Sequence, residues 1–220
     1  MAHIDFITKI HKKTKRNYVE RVVRYDKAVC ARIAKNFSRQ YWDGDRKYGY
    51  GGFRYDGRWQ SVARDIAKHY HLKAGMKVLD VGCGKAFLLY DLMQAVPGLQ
   101  CHGLDISPYA LARAPKEIRP FLKKGKAQKL PYKNNSFDLV ISITTLHNLY
   151  VYDLKKAVQE ISRVSKKNAY IVVESYRNER EKANLLYWQL TCECFYTPQE
   201  WTWLYREFGY QGDYSFIYFE

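Results

Sequence analysis

The most informative pattern in the sequence is a run of β-forming residues that ends in two glycines and is followed, about twenty residues later, by an acid. The run is Val78 to Val81, the glycines are Gly82 and Gly84, and the acid is Asp105. In a βαβ unit, glycines at such a turn let the backbone approach a ligand, and the acid binds ribose hydroxyls. The spacing favours a nucleotide site. The alternative is a tight strand-to-helix turn that needs glycine only for its φ angles.

The residues around the glycines separate two kinds of nucleotide site. A dinucleotide fingerprint has a third glycine three residues after the second, and Phe87 stands there instead. An acid two residues before the first glycine, Asp80, is not part of that fingerprint either. The pattern Asp80-x-Gly82-x-Gly84, followed by the segment 103–107, resembles class I S-adenosylmethionine-dependent methyltransferases. In that family the glycine turn faces the methionine half of the cofactor, and the later acid binds the ribose.

The resemblance continues in chain order over about residues 60 to 220. The segment Lys126 to Pro131 stands where the family packs against the adenine. Because Lys126 replaces the usual acid, the expected contact is with the backbone of Ala127. The segment Leu146 to Leu149 follows the fourth strand as in the ubiquinone/menaquinone-biosynthesis type. The resemblance implies an α/β, Rossmann-like class I methyltransferase fold with a mostly parallel seven-stranded sheet flanked by helices.

The hydrophobic pattern alternates between strands and helices, which indicates a parallel sheet with helices on both faces. Short apolar runs bounded by turn residues predict strands near 77–81, 100–104, 121–125, 136–142, 169–175 and 214–219. Apolar residues at helical spacing predict helices near 61–70, 85–95, 108–117, 153–165, 182–192 and 198–208. The last helix starts at a capping box of Thr197 and Glu200. Only one strand is evident where the family ends in an antiparallel hairpin.

Ligands of open α/β sheets bind at the carboxyl ends of the strands, where the strand order reverses. There Asp105 is expected to accept hydrogen bonds from both ribose hydroxyls, or else to cap the helix that follows. Gln128 is either a side-chain contact or simply exposed. The resemblance names S-adenosylmethionine as the cofactor, and its predicted binding residues are Asp80, Gly82, Gly84, Asp105, Ile106, Ala127, Gln128 and Ser142.

Methyl transfer from a sulfonium is an in-line displacement, so the enzyme mainly positions the two partners and removes water. A general base is needed only if the nucleophile starts protonated. His147 is the predicted base, because its unperturbed pKa lies near neutrality; in related proteins a histidine here often packs on the cofactor. Tyr176 is the second predicted catalytic residue, since it follows the fifth strand together with Glu174 and Arg177.

Residues 40 to 59 are rich in Gly, Asp and aromatic side chains, which predicts an ordered, irregular loop. Aromatic faces attract cations, and both the sulfonium and an amine acceptor are cationic. Arginines in this loop suit a carboxylate of the cofactor or of an acceptor. The alternative is a hydrophobic cluster under a long loop. The predicted acceptor-binding residues are Tyr50, Arg54, Tyr55, Arg58, Trp59 and Asn148.

The first 39 residues hold eleven Lys and Arg against three acids, in a chain of formal net charge +15. Apolar residues in this segment, among them Val19, Val23 and Val29, recur at three and four. Residues 1–37 are predicted to form one or two helices. The pattern indicates a basic amphipathic helix that covers the fold, and the alternative is an arm that binds nucleic acid or a membrane. We therefore expect a helical and aromatic-rich N-terminal cap over residues 1–59 and an S-adenosylmethionine-binding Rossmann-like domain over residues 60–220.

Composition limits whether the chain is expected to be a membrane, secreted or metal-binding protein. No apolar run approaches about 18 residues, so we expect no membrane span. The N-terminus also lacks the apolar core of a signal peptide. Five scattered cysteines fit a reducing cytoplasm. The pair Cys192 and Cys194 lacks a second pair of ligands, so no metal site is expected.

The sequence thus predicts a methyltransferase that acts on a small molecule. The segment Ser142 to Thr145 lacks the Asn-Pro-Pro-Tyr or Asp-Pro-Pro-Tyr motif of enzymes that methylate amino groups of DNA bases or protein glutamine. A weaker resemblance, based on the cap and the Leu-His-Asn segment, is to enzymes that cyclise S-adenosylmethionine to azetidine-2-carboxylate and methylthioadenosine. An RNA methyltransferase that uses the basic N-terminus is a further alternative, although a nucleic-acid partner is not favoured. No feature predicts an oligomeric state.

Overall fold

The segments that contain the predicted site residues end at the strands of one parallel sheet. The structure, a computed structural model of the chain, describes residues 1–11 and 16–220. The six strands of the described chain pair in the order β3-β2-β1-β4-β5-β6. They are β1 (Lys77–Val81), β2 (Gln100–Asp105), β3 (Leu122–Lys124), β4 (Phe137–Ile143), β5 (Ser165–Glu174) and β6 (Asp213–Ile217). Because β1 lies between β2 and β4, the strand order reverses there, which is where such sheets bind ligands.

Helices pack on both faces of the sheet. The helices of the described residues are α1 (Thr8–His11), α2 (Tyr18–Arg24), α3 (Lys27–Ala34), α4 (Arg39–Asp43), α5 (Gln60–His69), α6 (Phe87–Ala95), α7 (Pro108–Leu111), α8 (Val151–Val164), α9 (Glu179–Trp188) and α10 (Pro198–Glu207). Short 3-10 turns lie at Arg46–Tyr48, Arg119–Phe121 and Leu146–Asn148. None of the helices within 1–11 and 16–220 is long and apolar enough to span a bilayer.

Neighbouring residues of each central strand enter opposite cores. Val78 packs in a cluster with residues of α5 and α6, whereas Leu79 packs in a cluster with residues of α8 and α10. Because both faces of the sheet are covered, β1 has four consecutive buried residues instead of an alternating pattern. At the start of α10, Thr197 and Glu200 form the capping box that their spacing predicts.

The expectation of seven strands is wrong, because β6 pairs directly with β5 in a parallel ladder. The chain passes from β5 to β6 through α9 and α10, so the described residues contain no antiparallel hairpin at this position. N-terminal residues bond instead to the outer edge of β6. The Ile4 amide donates to the Tyr214 carbonyl at 2.9 Å, and the Tyr214 amide donates to the Ala2 carbonyl at 3.0 Å. This contact covers a sheet edge.

The basic N-terminal segment is helical, but its buried face differs from the predicted one. The segment breaks into α2 and α3, and Val19 and Val23 are 60% and 79% exposed. The buried residues of α3 are Cys30 and Ala34. Only the buried face was predicted wrongly, because one helical period was continued across the break between two helices. Three basic residues of this predicted helix lie outside the described residues, namely Lys12, Lys13 and Lys15.

Two further helices have bounds that differ from the predicted ones. The helix expected near 108–117 is only the single turn α7, and Ala114 and Pro115 follow it. Because the residue before a proline disfavours the helical conformation, a helix cannot continue through Ala114 and Pro115 to residue 117. The helix expected near 182–192 is α9, which starts at Glu179 because the Asn178 side chain accepts a hydrogen bond from the Glu181 amide.

Substitution of Phe6 tests whether the N-terminal segment stabilises the core. Its ring is 8% exposed and packs edge-on against Tyr70 and Tyr170. We expect Phe6→Ala to lower the free energy of unfolding by about 3–5 kcal/mol, because it removes buried apolar surface and leaves a cavity. The exposed control Val23→Ala should change it by less than about 0.5 kcal/mol. Urea denaturation measures both variants, and equal losses would contradict the expectation.

Candidate functional site

The glycine loop, residues 82–86, joins β1 to α6 in a conformation that side chains disfavour. Gly82 has a φ of 86° and Gly84 a φ of 54°. A Cβ on Gly82 would collide with the Thr145 side chain, and one on Gly84 would lie 2.7 Å from the Trp42 ring. Both glycines are therefore required by space as well as by φ. Ala86 also has a left-handed φ of 56°, which costs an alanine about 1–2 kcal/mol.

Asp105 ends β2 and holds the glycine loop through its carboxylate. Its Oδ2 accepts a hydrogen bond from the Gly84 amide at 2.8 Å, and its Oδ1 accepts one from the Ser107 amide at 2.7 Å. Burial raises the pKa of Asp105, and these hydrogen bonds oppose the rise. The cap of α7 is Ser107, whose Oγ accepts from the Ala110 amide at 3.1 Å. A carboxylate has about four acceptor positions, so Asp105 can also accept from two ribose hydroxyls.

A small cavity of about 240 Å³ opens at the carboxyl ends of β1, β2 and β4. The residues that were predicted to bind the cofactor and that line this cavity are Gly82, Asp105, Ile106, Ala127 and Gln128. The turn 125–128 forms one side of it, with Lys126 in the lining. The cavity therefore brings together the glycine loop, the acid after β2 and the segment expected beside the adenine.

Three of the residues predicted to bind the cofactor lie behind this lining. The Gly84 amide is bonded to Asp105, and the Ser142 Oγ donates to the Val81 carbonyl at 2.8 Å. Asp80 is 5% exposed, and its Oδ1 has no hydrogen-bond partner within the described chain. Burial, followed by the charge of Asp105, raises the pKa of Asp80 to about 8. Gly84 and Ser142 therefore bond to the acid after β2 and to the end of β1.

The segment of residues 37–53, most of which belongs to the loop predicted over residues 40–59, covers the glycine loop. The Lys85 ammonium, which is 4% exposed, bonds the Asp43 carboxylate at 2.7 Å and the Phe53 carbonyl at 2.6 Å. The Tyr109 hydroxyl donates to the same carboxylate at 2.9 Å. Trp42 lies against the loop and donates from Nε1 to the Ser107 Oγ at 3.0 Å. In the sequence, the residue that could have indicated this contact is Lys85, the lysine directly after Gly84.

A large cavity of about 580 Å³ lies beside the small one. The two cavities share a wall of four residues, Tyr41, Tyr50, Ile143 and Thr144. Thr144 follows β4 with a φ of 54°, which is an unfavourable conformation for a β-branched residue. Such strain is held only where the surrounding structure determines it, and here it places Thr144 between the two cavities.

The predicted acceptor-binding residues divide between different places. Those that line the large cavity are Tyr50, Arg54, Arg58 and Trp59. Arg58 is paired with Asp56, at 2.6 Å between Nη2 and Oδ2. Asn148 lines the small cavity and accepts a hydrogen bond from the Thr191 hydroxyl at 2.7 Å. Tyr55 lines neither of these two cavities, and its hydroxyl donates to Asp91 at 2.6 Å.

His147 is 2% exposed and lines neither cavity. Its Nδ1 accepts a hydrogen bond from the Glu174 amide at 3.3 Å. Burial lowers the pKa of His147 to about 3, so the ring is neutral and its proton is on Nε2. That nitrogen lies 3.5 Å from the Glu174 Oε2. Tyr176, the other predicted catalytic residue, is 9% exposed and packs in the core cluster that contains Val78.

Glu174, at the end of β5, is the carboxyl group next to His147 that lines the large cavity. It is 6% exposed, and its Oε1 accepts a hydrogen bond from Gln189. Burial raises the pKa of Glu174 to about 8, against the opposing charge of Arg16 and the hydrogen bond from Gln189. Arg177, by contrast, forms ion pairs with Glu181 and Glu220.

Comparison with known proteins identifies the domain. A family model described as a methyltransferase domain matches residues 72–212. Demethylmenaquinone methyltransferase of Geobacillus stearothermophilus is 32% identical over 142 residues, which are 61% of this chain and 57% of that protein. Norajmaline N-methyltransferase of Rauvolfia serpentina is 33% identical over 111 residues, which are 47% of this chain and 37% of that protein. The chain thus spans about a third to somewhat over half of these relatives.

Similarity to solved structures supports the same fold. The YcgJ protein of Bacillus subtilis superposes with a TM-score of 0.55 at 21% identity and covers 66% of each chain. A methyltransferase of Haloferax volcanii, solved with the activator Trm112, superposes with a TM-score of 0.53 at 24% identity, over 70% of this chain and 73% of that chain. At this identity the likeness shows the fold alone.

The glycine loop provides a test of the packing at the site. We expect Gly82→Ala to destabilise the protein by several kcal/mol, because it combines left-handed strain with a collision at Thr145. Gly75 has a similar φ of 83° but open space around it, so Gly75→Ala should lose only about 1–2 kcal/mol. Thermal unfolding of the two variants measures the difference. Matching losses would show that the collision is relieved without cost.

Proposed function

Because the chain belongs to the methyltransferase domain family, within the class I S-adenosylmethionine-dependent methyltransferases, we propose that it methylates a small molecule. The observation that carries the proposal is the wall shared by the two cavities. S-adenosylmethionine supplies a methyl group on a sulfonium, so its chemistry needs no further activation. The protein has to align an acceptor with that methyl group and to exclude water.

The lining of the small cavity fits the cofactor. A buried carboxylate with free acceptor capacity, Asp105, faces the cavity and suits the ribose. The backbone of Ala127 suits the adenine, since Lys126 cannot act as the usual acidic partner. The residues proposed to contact the cofactor are Gly82, Asp105, Ile106, Ala127 and Gln128. The residues proposed to support them from behind are Asp80, Gly84 and Ser142.

We propose that residues 1–59 act as a cap over the cofactor-binding domain of residues 60–220. The buried ion pair of Asp43 and Lys85 joins the two segments. The shared wall also draws on both, since Tyr41 and Tyr50 precede residue 60 whereas Ile143 and Thr144 follow it. A cap of this kind keeps water from the reacting centre.

A small-molecule acceptor is supported by the size of the large cavity, which lies within the usual range for ligand pockets. The relatives named above are methyltransferases of demethylmenaquinone and of norajmaline, which are both small molecules. We further propose a reducing compartment such as the cytoplasm, because all five cysteines are free.

The experiment that tests the function is incubation of the purified protein with S-adenosylmethionine, with and without candidate acceptors. We expect S-adenosylhomocysteine to form only when an acceptor is present, because the methyl group needs a second molecule to attack it. Liquid chromatography with mass detection measures both products. Methylthioadenosine formed from S-adenosylmethionine alone would overturn the proposal in favour of cyclisation.

Glu174 is the group that we propose as the proton acceptor, with His147 as a positioning residue. Glu174 lines the large cavity, whereas His147 and Tyr176 do not. His147 accepts a hydrogen bond from the backbone amide of Glu174, and its Nε2 lies 3.5 Å from the Glu174 Oε2; we propose that this second contact positions the carboxyl group. A pKa of about 8 brings the carboxyl close to the operating range of a general base. A base is required only for an acceptor that is protonated before transfer.

Activity should depend on pH through Glu174. The carboxyl accepts a proton only after it has lost its own, so kcat/KM should rise as the pH increases through about 8. Glu174→Gln should remove this rise and lower kcat by about 10²–10⁴-fold. The control Glu179→Gln changes a carboxyl that is 90% exposed and should retain the wild-type profile. A rise that persists in Glu174→Gln would exclude Glu174 as the base.

A further inference from the structure

Three arginines surround one tryptophan at the large cavity. The guanidinium carbons of Arg16, Arg21 and Arg46 lie 5.4, 4.5 and 5.0 Å from the ring centroid of Trp188. All four residues line the large cavity and none of them lines the small one. Arg21 belongs to α2, Arg46 to a 3-10 turn and Trp188 to the end of α9, so only the fold brings them together.

The charges of Arg21 and Arg46 are not balanced by acids of the described chain. Neither forms an ion pair with a carboxylate there. Arg46 donates to the carbonyls of Gly49 and Tyr50, at 2.8 and 3.0 Å. Arg21 donates to the Arg46 carbonyl at 3.4 Å, and its buried Nε has no partner in the part of the chain that the structure describes.

Without a bound anion, the cluster of arginines around Trp188 is energetically unfavourable. Burial, followed by the charge of Arg46, lowers the pKa of Arg21 to about 10. Like charges repel more strongly where water is partly excluded. Two arginines elsewhere in the described chain are balanced by acids: Arg58 pairs with Asp56, and Arg163 pairs with Glu160. The stacking on Trp188 orients the guanidinium groups but does not neutralise them.

The acids of the large cavity do not remove this excess. They are Asp56 and Glu174. Asp56 is engaged by Arg58, and Glu174, which is bonded to Gln189, interacts electrostatically with Arg16 and not with Arg21 or Arg46. The cavity therefore presents positive charge around Trp188, with donors in the planar fork that matches a carboxylate or phosphate.

We propose that the acceptor carries an anionic group, a carboxylate or phosphate, which Arg21 and Arg46 bind beside Trp188. This inference rests on the proposed function, because it assigns the substrate class of the same cavity. The bound anion neutralises the cluster and fixes one end of the acceptor. Its nucleophile then extends towards the wall formed by Tyr41, Tyr50, Ile143 and Thr144. The cofactor's own carboxylate is the other source of such a group.

Two matched probes, benzoate and the neutral isostere benzamide, test this inference by calorimetry on protein saturated with S-adenosylhomocysteine. We expect benzoate to bind about tenfold or more tightly than benzamide, as one charge-assisted bidentate contact provides. Inorganic phosphate is titrated in parallel, and tighter binding of phosphate than of benzoate would assign the anion as a phosphate. Equal affinity for all three probes would overturn the inference.

Substitutions on α2 locate the site. Arg21→Gln should abolish the preference for benzoate, and Arg21→Lys should retain part of it because the charge remains. The control Arg24→Gln lies on the same helix but changes a side chain that is 65% exposed and paired with Glu20, so it should retain the wild-type preference. An equal loss in Arg24→Gln and Arg21→Gln would overturn the inference.

The affinity for S-adenosylhomocysteine is measured in the same titrations. It distinguishes failure of the acceptor inference from failure of the proposed function. Arg21→Gln should leave this affinity unchanged within about twofold. One result would show that the cluster holds the cofactor's carboxylate and that the acceptor inference is wrong. In that result benzoate binds only in the absence of S-adenosylhomocysteine, and Arg21→Gln lowers the affinity for S-adenosylhomocysteine. If S-adenosylhomocysteine does not bind the wild-type protein at all, the proposed function fails. The preference for benzoate over benzamide can then still be measured on protein without S-adenosylhomocysteine.

Discussion

The ion pair between Lys85 and Asp43 connects the glycine loop to the segment that covers it. The lysine is 4% exposed, and its three bonds reach both oxygens of Asp43 and the Phe53 carbonyl. Although burial opposes the effect, hydrogen bonds from Lys85 and Tyr109 hold the pKa of Asp43 below its ordinary value. Removal of one partner from such a buried pair leaves an uncompensated charge and costs about 3–5 kcal/mol. Tyr41, in the shared wall, and Trp42, which lies against Gly84, directly precede Asp43 in the chain.

The site combines rigid and strained parts at the carboxyl edge of the sheet. Asp105 is held by two backbone amides, and Gly82 packs too closely on Thr145 to admit a side chain. Thr144 is held in a left-handed conformation between the two cavities. This arrangement follows from the reversal of strand order beside β1, because neighbouring loops diverge there and leave space between them. The glycine loop and the residues after β4 are therefore in contact and line the same opening side by side.

Local patterns account for the part of the molecule that was predicted correctly. The strand before Gly82, the acid at Asp105 and the capping box at Thr197 each depend on residues close together in sequence. The number of strands was not accessible in this way. Whether β6 lies directly beside β5 depends on pairing between distant segments, and the bonds of Ile4 to Tyr214 at its outer edge depend on the opposite ends of the chain. The exposed valines of α2 show a further limit, since one break in a helix changes which face is buried.

Short spacings of glycine, acid and apolar residues were sufficient to predict the family and the cofactor, because these patterns are local. Which side chains face the cavities followed only from the folded chain. It placed Glu174 at the large cavity and His147 behind it, and it brought Arg21, Arg46 and Trp188 together from three separate elements. The physical reason is that burial and charge pairing depend on neighbours in space. No periodicity along the chain indicates that an arginine on α2 will lie beside a tryptophan on α9.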